Sequence, residues 1–283
     1  MLRFGFSGPH VALRGTRWDT PVSRRGAQQA NGSSLVSVHV RVITPIVTEG
    51  IRTLDDIRAM ESADLTVTHS LIDIGPASIE SEFDGALAVP GLLAKAMEAE
   101  RAGVDAVVID CMGDPGLTAA REVLSIPVLG PAETSMHVAA MLGRSFSIVT
   151  VLESVRPMLD NLAKLYGVHE KLASIRVIDI PVLEIGLDLG KLQHALTEQA
   201  QLALDQDGAD VIVLGCTGFF GCSEAIAHAL AEHGSPAPVI DPVPAAVFTA
   251  AALVRAGLTH SKRTYAIPPK KLIKGFPQLN LAG

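Results

Sequence analysis

The feature that most constrains this 283-residue chain is an internal repeat. Gly103-Val-Asp-Ala-Val-Val-Ile-Asp-Cys111-Met-Gly-Asp-Pro-Gly116 aligns with Gly208-Ala-Asp-Val-Ile-Val-Leu-Gly-Cys216-Thr-Gly-Phe-Phe-Gly221 at a constant offset, since 216 − 111 = 105 and 208 − 103 = 105. Six positions are identical: Gly103/Gly208, Asp105/Asp210, Val108/Val213, Cys111/Cys216, Gly113/Gly218 and Gly116/Gly221. Beyond each copy a short helical stretch leads to a Pro-led apolar run at Pro127 and Pro238, then to Ala-rich helical sequence. The chain therefore reads as two similar halves, each presenting one cysteine in the same turn.

The pattern around the repeat is alternating β and α. Val36–Ile43, Leu65–His69, Ala106–Asp110, Pro127–Leu129, Phe146–Val151, Ile175–Ile180, Val211–Leu214 and Val239–Ile240 read as strands. Leu54–Ser62, Gly91–Ala102, Leu117–Val123, Ala132–Leu142, Val155–Tyr166, Leu189–Asp207, Ser223–His233 and Ala245–Ala256 read as helices, two of them stopped by the C-cap glycines Gly103 and Gly208. Short, nearly all-apolar strands such as Ala106–Asp110 belong in parallel sheets covered on both faces. This rhythm predicts an α/β fold with right-handed crossovers. Each cysteine then sits after a parallel strand and before a helix, where open α/β sheets bind ligands. If the halves are related by a pseudo-twofold axis, the two thiols oppose one another across a single cleft.

Composition narrows the partners. The chain is 48% hydrophobic and 19% charged, with net charge −7, so a sizeable core is expected and a nucleic-acid face is not. No apolar stretch is long enough for a membrane span; the longest, near Ala245–Val254, is too short. Three cysteines, Cys111, Cys216 and Cys222, make no disulfide framework and fit a reduced, cytoplasmic setting. Residues 1–34 differ from the rest. They hold Arg3, Arg14, Arg17, Arg24 and Arg25 against one acid, Asp19, and read as a disordered or leader extension. No HExxH, ligand-spaced His/Asp/Glu cluster, GxGxxG or GxSxG motif appears, so no metal ligand is assigned. His137, His228 and His233 read as helix-surface residues, and Cys222 as helix packing.

Two equivalent thiols suit one reaction. A thiolate removes a proton from one face of a carbon, and the opposing thiol returns a proton to the other; equivalence of the bases is what racemisation demands. Glycines at 113, 116, 218 and 221 allow close approach of a ligand, and the helix N-terminus after each turn is expected to lower the thiol pKa. Backbone amides there are placed to hold an enolate oxygen. A thiol with a pKa near 8.5 suits a carbon flanked by carbonyls, as in a hydantoin ring, better than an ordinary amino acid.

The residues carrying this chemistry resemble a known family. Gly75-Pro-Ala-Ser-Ile-Glu80, Asp110-Cys-Met-Gly-Asp-Pro-Gly116, Gly130–Glu133, Phe146-Ser-Ile-Val-Thr150 and Gly215-Cys-Thr-Gly218 resemble the aspartate/glutamate/hydantoin racemase superfamily, closest to its hydantoin/allantoin branch. The resemblance implies Cys111 and Cys216 as the catalytic pair, two Rossmann-like lobes with the cleft between them, no cofactor, a small-molecule substrate and a homo-oligomer. It implies lobe boundaries of 35–131 plus 243–283, and 132–242. Thr44, Pro45, Gly75, Glu80, Gly113, Thr217 and Gly218 are the expected substrate contacts. Where the family's first strand ends Asn-Pro-Asn-Thr, this one reads Thr44-Pro45-Ile46-Val47-Thr48; Thr44 replaces one hydrogen bond and Ile46 cannot. The alternatives are a one-cysteine decarboxylase or maleate-isomerase-type relative, and a non-enzymatic two-lobe binding protein.

Overall fold

Two strand–helix units of the same design follow one another along the chain. The computed structural model describes residues 37–279; the leader-like segment lies outside them. The first unit runs β1 (Val38–Thr44), α1 (Leu54–Arg58), β2 (Leu65–Leu71), α2 (Glu82–Arg101), β3 (Ala106–Ile109), α3 (Leu117–Val123), β4 (Val128–Leu129) and α4 (Pro131–Leu142). The second runs β5 (Phe146–Thr150), α5 (Arg156–Leu165), β6 (Leu172–Val177), α6 (Leu189–Asp207), β7 (Val211–Leu214), α7 (Ser223–Glu232), β8 (Val239–Ile240) and α8 (Pro242–Arg255).

Each unit forms a four-stranded parallel sheet, ordered β2-β1-β3-β4 and β6-β5-β7-β8. The registers match as well: Val107 faces Val128 as Ile212 faces Val239, and Val42 faces Val108 as Ile148 faces Val213. The repeat is thus a repeat of topology. Strands β3 and β7 are wholly buried, which is why they read as unbroken apolar runs.

The helix after the fourth strand of each unit covers the other unit's sheet. Val243, Ala246, Val247, Ala250 and Ala251 of α8 pack on Val38, Val40, Val42, Ala106 and Val108 of the first sheet. Ala132, Met136 and Ala139 of α4 join the core of the second sheet with Phe146, Ile148 and Ile212. The two exchanged helices also pack on each other.

Boundaries moved where a local signal competed with packing. α2 begins at Glu82 rather than near Gly91. Ser81 caps it by accepting from the Asp84 amide at 3.2 Å, and Pro90 is carried inside the helix because Ala88, Gly91, Leu92 and Ala96 are buried around it. β6 spans Leu172–Val177, three residues earlier than expected, because the chain leaves the sheet before Asp179, which adopts φ 57°. α1 stops at Arg58, short of Ser62. α8 starts at Pro242, where Asp241 caps it by accepting from the Val243 amide.

Candidate functional site

The two cysteine turns are built alike. Each strand ends, the chain turns, and the cysteine sulfur accepts the amide N–H two residues on: Gly113 N to Cys111 Sγ at 3.4 Å, and Gly218 N to Cys216 Sγ at 3.4 Å. A Cβ at either glycine would crowd its neighbours, Met158 Sδ at 3.0 Å for Gly113 and Ile185 Cδ1 at 3.1 Å for Gly218. Both cysteines are half-buried residues and line one cavity, together with Gly113, Thr217 and Gly218. Each cysteine lies close enough to feel the charge of neighbouring acids, and Cys111 that of Cys216.

Burial dominates the thiol chemistry. Desolvation pushes Cys216 up to about 12, only partly offset by the Gly218 amide, and pushes Cys111 up as well against the Gly113 amide. The lowering expected from a following helix does not prevail. α3 begins at Leu117, six residues past Cys111, and a single 3₁₀ turn, Thr217–Phe219, follows Cys216. Sequence position alone could not reveal how dry the turns are.

Apart from Thr44, Asp110 and Thr217, the side chains of the rest of the cavity wall are apolar. Ile46, Ile79, Val151, Val155 and Met158 are buried in it, with Ile51 and Val182 completing it. Its one charged lining residue is Asp110, which is already paired. Arg52 reaches Asp110 through Nε at 3.1 Å and Nη2 at 2.9 Å. Burial alone would raise the Asp110 pKa, but the Arg52 charge and the hydrogen bonds from Arg52 and Thr44 hold it below the usual carboxylate range.

A model of the Asp/Glu/hydantoin racemase family matches residues 44–250. The chain belongs to that family. It is 38% identical over 246 residues to a hydantoin racemase of Rhizobium meliloti, covering 84% of this chain and 98% of the other. Among solved structures, an allantoin racemase from Klebsiella pneumoniae superposes with TM-score 0.81 at 38% identity, covering 86% of this chain and 99% of that one. An allantoin racemase from Pseudomonas fluorescens gives TM-score 0.76 at 34% identity, covering 83% and 100%.

Within this racemase-family protein, the remaining expected contacts divide. Thr44 and Pro45 line the cavity. The Thr44 hydroxyl is engaged, donating to Asp110 Oδ2 at 2.6 Å and lying 2.8 Å from His69 Nε2. Ile46 adds apolar wall where a hydrogen-bonding side chain was looked for. Gly75 lies away from the cavity, where it lets the backbone approach Ile72, whose Cδ1 would sit 2.3 Å from an added Cβ. Glu80 is a latch: its Oε1 accepts the Val182 amide at 2.7 Å, and its carbonyl accepts from Ser154 Oγ at 2.8 Å. The first unit is thereby tied to two segments of the second.

Sequence reading gave no role to Arg52 or to Asp114. Arg52 lies in a loop with no period, and nothing but its charge between Ile51 and Thr53 marks it. Asp114 is buried with φ 44°, and accepts from the Ala132 amide (3.1 Å), the Glu133 amide (2.9 Å) and Tyr166 Oη (2.7 Å). It pins the Cys111 turn to the start of the exchanged helix α4. Gly130 is required beside it, since a Cβ there would lie 2.4 Å from Asp114 Cγ. Among the described residues, no group of three or more His, Cys, Asp or Glu side chains is arranged to hold a metal ion, and no helix is long and apolar enough to cross a membrane.

Proposed function

We propose that this protein racemises a 5-substituted hydantoin by transferring protons between the ring carbon and the thiols of Cys111 and Cys216. The observation that carries the reading is the pair of matched turns, each with an amide on its sulfur, lining one cavity. In one direction a cysteine thiolate takes the C5 proton, the C–H electrons pass into the ring carbonyls, and the other cysteine's S–H returns a proton to the opposite face. The reverse direction exchanges the roles. A thiol whose pKa is raised is a stronger base once ionised, which suits removal of a proton from carbon. The Gly113 and Gly218 amides support the thiolate form when it is needed. Electrons and protons balance within the substrate and the two thiols, so the steps as written draw on no redox partner.

The cavity wall favours a neutral, apolar substituent. A free amino acid brings a carboxylate and an ammonium group, and no lining side chain offers an unpaired opposite charge, because Asp110 is matched by Arg52. Allantoin carries a polar ureido substituent, whose donors and acceptors find few partners among Ile46, Ile51, Ile79, Val155 and Val182. We therefore rank alkyl- and benzyl-substituted hydantoins ahead of allantoin, and both ahead of aspartate or glutamate.

The test is Cys111→Ser and Cys216→Ser assayed singly with each enantiomer in D2O, with the uncatalysed rate subtracted. Each variant is expected to lose inversion by about 10²–10⁴-fold. Full racemisation by both would overturn the reading. Loss from only one substitution would point instead to a single-cysteine reaction.

A further inference from the structure

Arg52 lies in the loop between β1 and α1 with its side chain 1% exposed. Burying a guanidinium costs several kcal/mol unless its donors are matched. Nε and Nη2 are matched from both halves of the molecule, while Nη1 is buried without a hydrogen-bond partner among the described residues, 3.8 Å from Asp56 Oδ2. Asp110, in the first, takes the Nε and Nη2 hydrogens. Thr217, in the second, accepts from Nη2 through its carbonyl at 2.8 Å. The Phe220 ring, also in the second, lies 4.7 Å from the guanidinium carbon. A further bond closes the ring, since Thr217 Oγ1 donates to the Asp110 carbonyl at 3.2 Å. Asp110 immediately precedes Cys111, and Thr217 immediately follows Cys216. One cation therefore joins the neighbours of both sulfurs. The second half lacks its counterpart, because Gly215 stands where Asp110 stands and has no carboxylate to offer.

We propose that Arg52 is a positioning residue that sets the separation and facing of the Cys111 and Cys216 turns. The proposal rests on the two-cysteine reading and deepens it. A planar fork reaches both carboxylate oxygens and a carbonyl at once; a lysine ammonium does not. With the fork gone, each sulfur still sits beside its own amide, but the two no longer flank the carbon at once. Proton removal by one thiolate then continues while delivery from the opposite thiol fails. The S–H formed exchanges with D2O to S–D, and deuterium returns to the face the proton left. The signature is exchange without inversion.

The experiment uses the full-length protein and one enantiomer of 5-benzylhydantoin in D2O. Deuterium at C5 is followed by mass spectrometry and inversion by chiral chromatography, with the enzyme-free rates of both subtracted. For Arg52→Lys, inversion kcat is expected to fall by about 10²-fold, the scale of a 1 Å misplacement, with KM changed much less. The ratio of exchange to inversion is expected to rise well above that of the unmodified enzyme. A folded Arg52→Lys protein with an unchanged ratio overturns the proposal. If Arg52→Lys cannot be purified folded, Phe220→Leu decides. It removes the ring beside the guanidinium and keeps the ion pair, so a smaller rise in the ratio is expected, and an unchanged ratio overturns the proposal. Cys111→Ser and Cys216→Ser run alongside. If either keeps full inversion, the two-cysteine reading fails and this proposal with it. If both lose inversion while Arg52→Lys keeps the original ratio, only the role of Arg52 falls.

Discussion

The two cysteine turns share topology, register and the sulfur–amide hydrogen bond, yet they are anchored differently. In the first half Asp110 follows the strand, and Thr44 at the end of β1 donates to its carboxylate. In the second Gly215 follows the strand, and Thr150 at the equivalent end of β5 donates to the glycine carbonyl at 3.0 Å. A side chain has no room there: a Cβ on Gly215 would lie 2.7 Å from both Ile148 Cγ2 and Thr150 Cβ. One turn is held by charge and the other by close packing. The exchanged helices show a similar inversion. Asp114 reaches from the Cys111 turn to the start of α4, whereas Asp241 reaches from the start of α8 back to the Gly221 amide at 2.9 Å. The halves match at the sulfur–amide turns while the scaffolding behind them differs.

Breaking the charged anchor should cost most. Asp110→Asn leaves Arg52 buried without its carboxylate and is expected to lower stability by about 3–5 kcal/mol, read from urea unfolding. Breaking the packed anchor should cost less: Gly215→Ala forces a methyl group against Ile148 and Thr150, for about 1–3 kcal/mol in the same assay. Two anchors of equal cost would contradict the contrast.

A pH titration sharpens the helix comparison. Burial pushes Asp114 up to about 7 from the usual 3.8, against the amides of Glu133 and Ala132 and the Tyr166 hydroxyl, which pull it down. The folded state therefore holds a proton that the unfolded state has released between those values, and stability falls as pH rises through that window. Burial raises Asp241 in the same sense, to about 6. Asp114→Asn should flatten the decline between about pH 4 and pH 7, measured as urea midpoints against the unmodified protein. An unchanged slope would mean that Asp114 does not titrate in this range.

The smallest effect is expected at the latch. Glu80→Ala frees the Val182 amide and should lower stability by about 0.5–1.5 kcal/mol. A loss as large as that of Asp110→Asn would show that Glu80, rather than Arg52, is the main tie between the halves.

Much of this was legible in the sequence because it is written locally. β7, α3 and α6 match their expected limits, since apolar runs and the left-handed Gly208 (φ 73°) mark them directly. The meeting of Cys111 and Cys216 at one cavity could be anticipated because the repeat carries its own symmetry. What stayed hidden depends on partners distant in the chain. Arg52 acquires its meaning only from Asp110 and from Thr217, the latter 165 residues away. The residues themselves carry no local signature of the exchange of α4 and α8, because an Ala-rich helix fits either sheet; its one sign was the lobe boundaries that the family resemblance implied, 35–131 plus 243–283 and 132–242. One clue was available, the mismatch of Asp110 with Gly215 immediately before the matched cysteines of the repeat.

The traded helices carry a cost in autonomy. A backbone cut between Gly130 and Pro131 would yield two fragments: the first would lose α8, which shields one face of its sheet, while the second would keep both traded helices. The fragment ending at Gly130 would bare Val38, Val40 and Val42, and the other would keep α8 with nothing of the first sheet to cover. The first piece is expected to fold only when mixed with the second, which supplies α8. Assembly of the cleft is thereby coupled to assembly of the whole molecule.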